Sequence, residues 1–307
     1  MIKRVAVMDL GTNTFHLLIA EGSASDYKEI VHIHDSVKLG EGGINKGVIQ
    51  PEPYQRGIIA LQNFKQEIIK HNVTNVRAIA TSALRNASNG QQFIDEVADK
   101  TGINIEIIDG EQEAEYIYKG VRLAGGLSDQ TSLIMDIGGG SVEFILSNVH
   151  TILWKQSFEI GAARLMDKFH RIDPIPVDSI NALYAYLDER LTSLTAVTEK
   201  YPATSLLGSS GAFETFSEVI ELEKGNPFNV SIKNYDFEHT DLITITDKLI
   251  ASSHLERKNT KGIITIRVDM IVVASLITRF IMDRLGINRV CMSTHSLKEG
   301  VLAEMMV

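Results

Sequence analysis

Short apolar, β-branched runs punctuate the chain at residues 5–8, 76–81, 103–108, 131–136, 142–146, 205–208 and 287–292, and each reads as a strand. Between them lie longer stretches whose apolar residues recur three and four apart, the spacing of one helix face. In the stretch 51–71 that stripe is Ile58, Leu61, Phe64 and Ile68; the others are 111–123, 177–200 and 268–285. Strands alternating with helices of this length predict α/β layers. The best boundary is the Gly/Ser punctuation "AGGLSD" at 124–129, which divides the chain into units 1–124 and 125–295.

The pattern also repeats. "VAVMDLGTNTFHLLIA" (5–20) and "LIMDIGGGSVEF" (133–144) are each an apolar run, an Asp-x-Gly turn and a second apolar run. Asp9 falls on Asp136, Gly11 on Gly138, Thr14 on Ser141 and His16 on Glu143. Two related units, each opening with a β-hairpin whose turn faces the other, account for the duplication. Glycines let a backbone approach a ligand, so that several N–H groups converge on one anion. Thr12, Thr14 and Ser141 add hydroxyl donors, while Asp9 and Asp136, at strand ends, can hold a divalent cation directly or through water. Facing turns of this kind form a clamp for a phosphate chain with Mg²⁺; the plainer alternative is a pair of tight β-turns.

Composition narrows the classes. The 307 residues are 44% hydrophobic and 22% charged, an ordinary globular balance with room for two cores. No apolar run nears the ~18 residues of a membrane span; the longest, 270–277, is flanked by Arg267, Asp269 and Arg279. Asp9 and the polar "GTNT" interrupt any signal-like core behind Lys3 and Arg4, so a cytoplasmic protein without a membrane partner is expected. Cys291 is the single cysteine, which excludes an internal disulfide, and it reads as a strand residue rather than a nucleophile. A net charge of −9 argues against nucleic acid as a partner but leaves room for a small polyanion held by local arginines, backbone amides and a metal ion.

Three further segments carry candidate chemistry. "IDGEQEAEYIYKGV" (108–121) offers Glu111, Glu113 and Glu115 near a helix start, where any of them can simply complement the dipole. "AIATSALRNASNG" (78–90) ends a strand in small and hydroxyl residues and then presents Arg85. "LLGSSGAF" (206–213) passes from strand to helix, so Gly208, Ser209, Ser210 and Gly211 can offer free N–H groups to a third anion. His32, His34, His170 and His254 have no partner at metal-ligand spacing and are taken as structural; His16 fits loop support and ligand contact equally. There is neither a "GxxxxGK" nor a "GxGxxG".

With "VKLGEGGINKGVIQPE" (37–52), "SFEIGAARL" (157–165), "GSSGAFETF" (208–216), "RVD" (267–269) and "STHSLKEG" (293–300), these segments resemble, in order, the exopolyphosphatase/guanosine pentaphosphate phosphatase (Ppx/GppA) family of the actin–sugar kinase–Hsp70 superfamily, in its short two-domain form. The resemblance implies two ribonuclease-H-like domains with an active-site cleft between them, and a last helix, 296–307, packed back on the first. It implies that Glu113, directly before an alanine, is the base that activates water, and that Asp136 and Glu143, with Asp9 as the repeat suggests, hold Mg²⁺ or Mn²⁺. Gly138, Gly139, Gly140 and Ser141 then cradle phosphate opposite Thr12, Asn13 and Thr14, and Arg85 binds it too. Arg164 fits the family's G-x-x-R-L pattern and is open between a distal phosphate and a salt bridge. The chain departs from the family at Ala212, Phe213 and Glu214, where small or threonine residues are common. The implied activity is release of terminal phosphate from polyphosphate or pppGpp, with a phosphotransferase or a non-catalytic (p)ppGpp-binding regulator as alternatives. A homodimer is left open, and the net acidity predicts short substrates or distributive attack, for want of an extended basic track.

Overall fold

The structure, a computed structural model, describes residues 3–24, 26–229 and 232–307. Strands β1 (Lys3–Leu10) and β2 (Phe15–Ser23) form an antiparallel hairpin with Asp9 opposite His16. β3 (Asp26–Asp35) pairs with β2, and after helix α1 (Pro51–Lys70) the chain returns as β4 (Asn75–Ala80), parallel to β1. The short α2 (Ser82–Arg85), α3 (Gly90–Thr101) and β5 (Ile105–Ile107) complete a sheet of order β3-β2-β1-β4-β5.

Helix α4 (Gly110–Leu123) leads into a second meander, β6 (Ser132–Ile137), β7 (Val142–Ser147) and β8 (Ile152–Phe158), with Asp136 opposite Glu143. Helices α5 (Ala162–Phe169), α6 (Val177–Arg190) and α7 (Thr192–Lys200) precede β9 (Ser205–Ser209), which is parallel to β6. Then come α8 (Gly211–Glu223), β10 (Asn234–Phe237), α9 (His239–Ala251), α10 (His254–Asn259), a 3-10 turn at Thr265–Arg267, α11 (Met270–Leu285), β11 (Val290–Ser293) and α12 (Leu297–Met305). The second sheet runs β10-β11-β9-β6-β7-β8. Without its edge strand β10 it repeats the first: a three-stranded antiparallel meander followed by two parallel strands. Both sheets thus have the ribonuclease-H-like order.

Burial explains the unbroken apolar runs. Val5 and Val7 face one side of the first sheet while Ala6, Met8 and Leu10 face the other, and both sides are covered. There are three cores: one beneath α1 and α3, one beneath the helices of the second unit, and a central one between the two sheets. The central core is filled by α4 and α12, whose Ala114, Ile117, Val121, Leu297, Val301 and Leu302 meet Val7 and Leu18 of one sheet and Ile134 and Ile145 of the other. The expected last helix thus lies between the sheets, against α4 and β1.

Two expectations are corrected. The stretch 177–200 is two helices, broken at Leu191. Its apolar stripe (Leu183, Leu187, Leu191, Leu194) runs through the break, so periodicity could not reveal it. The third strand of each meander is also missing from the elements that the pattern predicts: β3 and β8 sit at sheet edges with mostly half-buried or exposed residues, so they lack an apolar run. No helix among the described residues is long and apolar enough to cross a membrane.

Candidate active site

The two hairpin turns meet at one end of the sheets. The contact is close enough that only glycine fits: a Cβ on Gly139 would stand 2.2 Å from Asn13 Nδ2, and one on Gly140 2.5 Å from Ser82 Oγ. Behind them Gly161 lies against the Gly139 carbonyl, where a Cβ would come within 2.5 Å. The glycines therefore allow turn to pack on turn, a reason for them besides any ligand.

Beside this contact is a cavity of about 550 Å³, lined by Thr12, Asn13, Thr14, Gly138, Gly139, Gly140 and Ser141 from the turns. Five carboxylates also line it, those of Asp9, Glu113, Asp136, Glu143 and Glu214, against two fixed cations, Arg267 and Lys298. Asp9 and Asp136 come from equivalent positions near the ends of β1 and β6, and Glu143 from the strand opposite. Glu113 comes from the first turn of α4, which Asp109 caps by accepting a hydrogen bond from the Gln112 N–H at 2.8 Å. Its neighbours lie differently: Glu111 is exposed and Glu115 pairs with Lys119 and Lys155, whereas Glu113 is 7% exposed.

Asp136, Glu143 and Glu113 are held by specific partners. Ser209 Oγ donates to Asp136 Oδ2 at 2.7 Å and Ser296 Oγ donates to the same oxygen. Ser157 Oγ donates to Glu143 Oε1 at 2.6 Å. Arg85 is not among the residues lining the cavity but reaches one that is: its Nη1 donates to the Ile108 carbonyl at 2.8 Å and to Glu113 Oε2 at 3.1 Å. The residue expected to meet phosphate thus supports Glu113.

Crowding of buried carboxylates raises their proton affinity. Burial pushes Asp9 up to about 7, with Asp136 adding to the effect and Lys298 opposing it. Burial likewise pushes Asp136 up to about 6 against its serine hydrogen bonds, and Glu143 up to about 7. Burial and then the Glu143 charge hold Glu113 well above the usual carboxylate range, with Arg85 pulling the other way.

The third predicted anion loop is only partly at the cavity. Ser210 and Gly211 line it, but Gly208 lies under the Phe213 ring, where a Cβ would be 2.2 Å from the ring, and Ser209 is taken by Asp136. Ser210 has a φ of 134° and a buried hydroxyl with no partner, a strained non-glycine residue at the head of α8. Arg164 forms a salt bridge to Glu159 at 2.6 Å and binds the Gly140 carbonyl at 3.1 Å, which fixes the loop behind the turn.

Sequence reasoning left three groups unassigned that stand at the cavity. Arg267 lies against Gly211 and pairs with Glu214 at 2.7 Å. Lys298 is held above the usual lysine range by Glu299 and Glu214, against the opposing effect of burial. Both belong to segments quoted for the resemblance, "RVD" and "STHSLKEG". His32 and His34, taken as structural, line the cavity beside His16, with ring centroids 6.1 and 6.4 Å from its ring. Period-two spacing in "VHIHD" was the available signal, once the strand is paired with β2. Burial, and then the Lys298 charge, hold the His16 pKa well below the usual imidazole range.

Two ribonuclease-H-like units closing glycine turns and acidic strand ends on one cavity define a phosphoryl-handling α/β protein of the two-domain type. The comparisons make this specific. The Ppx/GppA phosphatase family matches residues 18–307, and the chain belongs to that family. It is similar to the crystal structure of an exopolyphosphatase from Cytophaga hutchinsonii, with 40% identity and a TM-score of 0.96 over 99% of this chain and 98% of that one. Among curated relatives, Exopolyphosphatase 2 of Mycobacterium tuberculosis is 27% identical over 98% of each chain. The guanosine-5'-triphosphate,3'-diphosphate pyrophosphatase of Photobacterium profundum is 26% identical over 98% of this chain, which spans 59% of that protein's length.

Proposed function

We propose that this chain is a divalent-metal-dependent hydrolase that releases terminal phosphate from inorganic polyphosphate, pppGpp or both. The observation that carries the reading is the convergence of Asp9, Glu113, Asp136 and Glu143 on one cavity between two glycine-rich turns. The names of the relatives support the substrate class, exopolyphosphatase on one side and guanosine-5'-triphosphate,3'-diphosphate pyrophosphatase on the other.

A polyanion entering a cavity with five carboxylates and two cations needs more positive charge than the side chains provide. The donors fit a hard divalent ion such as Mg²⁺ or Mn²⁺, since all are carboxylate oxygens gathered on one cavity. No three His, Cys, Asp or Glu side chains among the described residues are grouped tightly enough to chelate an ion alone. Asp9, Asp136 and Glu143 would therefore share it with water and substrate oxygens, as Mg²⁺ commonly requires. Once bound, the ion would neutralise charge on the phosphoanhydride oxygens.

The rest falls to the chain. The N–H groups and hydroxyls of Thr12, Asn13, Thr14 and residues 138–141 would hold the terminal phosphate, with Ser210, Gly211, Arg267 and Lys298 on its other side. Glu113 would accept a proton from the attacking water, and its raised pKa makes its ionised form a stronger base than an ordinary glutamate. Arg85 would fix which carboxylate oxygen faces that water. Positioning and charge complementarity supply most of such a rate enhancement. The two units are taken as 1–124 and 125–295, with the last helix, 296–307, belonging to the first.

The test is phosphate release from tripolyphosphate, long-chain polyphosphate, pppGpp and ATP, with Mg²⁺ and with chelator. Release from at least one of the first three, abolished by chelator, is expected. Binding of (p)ppGpp without turnover of any substrate would favour the regulator instead.

A further inference from the structure

Both fixed cations at the catalytic cavity already face a carboxylate of the chain itself. Lys298 Nζ lies 3.0 Å from Glu299 Oε1, and Arg267 Nη2 lies 2.7 Å from Glu214 Oε2. The two carboxylates are held very differently. Glu299 is 2% exposed, and its other oxygen accepts the Ser296 N–H at 2.8 Å, so it belongs to the cap of α12. Glu214 is half-buried and lines the cavity, and Arg267 is the only hydrogen-bond donor to its carboxylate among the described residues.

Arg267 itself is fixed. It ends the 3-10 turn Thr265–Arg267, and its guanidinium lies across Gly211, where a Cβ would stand 2.4 Å from Nη2. Its Nη1 donates to Oγ1 of the buried Thr215 at 3.0 Å. Beside it is the head of α8: Ser210 and Gly211 line the cavity, and the Ser210 hydroxyl is buried with no partner. A helix N-terminus, a held guanidinium and an unpartnered hydroxyl together suit an anion. Glu214, in the first turn of the same helix, supplies one from within the protein.

We propose that Glu214 is a tethered competitor for phosphate: in the free protein its carboxylate occupies the Arg267 subsite, and an incoming phosphate group must displace it. This rests on the reading of the cavity as a phosphate-binding hydrolytic site and adds a residue that sets its affinity. Half-buried ion pairs at a protein surface are weak, so the displacement costs little. It is required of the substrate and of the orthophosphate product alike, since both use Arg267. Glu214 thus limits how tightly the product is retained, and it acts on KM rather than on the chemical step.

Glu214→Gln and Glu214→Ala both remove the charge. Orthophosphate with Mg²⁺, titrated by calorimetry, should bind about fivefold more tightly to either variant than to the wild type. KM for tripolyphosphate should fall in parallel. Arg267→Gln should cost less affinity in the wild type, where the arginine is already occupied, than in the Glu214→Gln background. That coupling separates competition from general repulsion, so an equal gain with and without Arg267 would overturn the proposal. Unchanged phosphate binding in both variants would overturn it, and so would weaker binding, which would make Glu214 a support for Arg267. A raised Mg²⁺ requirement in Glu214→Gln would overturn it as well, by making Glu214 a metal ligand. Calorimetry needs no turnover: tighter phosphate binding in variants of a protein that hydrolyses none of the substrates would uphold the competitor and remove the hydrolase reading.

Discussion

Glu111 and Glu113 differ by two positions on one helix, and the geometry of that turn separates their roles. Glu111 faces solvent, while Glu113 is buried against Arg85 and Glu143. Glu113→Gln keeps size and hydrogen-bonding capacity but removes the base, so kcat should fall by about 10²–10⁴-fold with substrate affinity retained in calorimetry. Glu111→Gln should be near wild type, and the reverse outcome would mean that the base is misassigned. Because the Glu113 pKa is raised, the acid limb of kcat/KM should lie well above the ordinary glutamate range. Activity should therefore begin to fall on acidification at a higher pH than an ordinary glutamate would give, and an acid limb in the ordinary glutamate range would contradict the assignment. Asp9 and Asp136 stood out because the chain makes the same acidic turn twice, and matching strand ends in two related units point to one shared site, whereas Glu143 aligns with His16 in the repeat and was expected only from the resemblance. Arg267 and Lys298 were not, since an isolated arginine or lysine carries no local mark; their place depends on where α8, α11 and α12 pack.

Among the elements, the crossing of α4 and α12 governs the site most directly. It is closed by glycine on both sides. A Cβ on Gly120 would stand 2.0 Å from the Ser296 carbonyl oxygen, and one on Gly300 1.9 Å from the Tyr116 carbonyl oxygen. Backbone contacts of this kind cannot be relieved by a rotamer change. Gly300→Ala should therefore force the helices apart, which moves Ser296 away from Asp136 and Lys298 away from the carboxylates. Overpacking of this type costs about 1–3 kcal/mol. A several-degree drop in Tm with a larger fall in kcat/KM is expected, and an unchanged Tm would show that the crossing has slack. The sequence marked the strands buried on both faces and the long helices α1, α4 and α11, but neither α3 nor α9. It did not mark β3, β8 or β10, edge strands with no continuous apolar run. The short helices α2, α5 and α10 span only four to eight residues, too few for periodicity to register.

For the whole molecule, the buried acids couple stability to pH with an unusual sign. Asp9, Asp136 and Glu143 bind protons more tightly folded, at about 7, 6 and 7, than in an unfolded chain at their ordinary 3.8 and 4.5. Between pH ~4 and ~7 the folded state thus holds more protons, so their contribution to stability declines as pH rises through that window and is lost above it. In chelator, Tm should be lower at pH 8 than at pH 6, and saturating Mg²⁺ should remove most of the difference by binding the folded state alone. A Tm independent of Mg²⁺ at pH 8 would argue against the metal site. The doubled α/β plan was visible in the repeat, but the central core was not. Nothing local shows that α4 and α12, nearly two hundred residues apart, lie side by side between two sheets.

That placement sets an order of events on the ribosome. Chains emerge and fold from the N-terminus, at about 5–20 residues per second. The strands bearing Asp9 and Asp136 are therefore made well before residues 296–305, which bring Ser296 and Lys298 to them. Throughout that interval the nascent cleft has its acids without their lysine, and the two sheets lack half of the filling that holds them together. Competence to bind a polyanion thus waits until α12 enters the gap and completes both the core and the site.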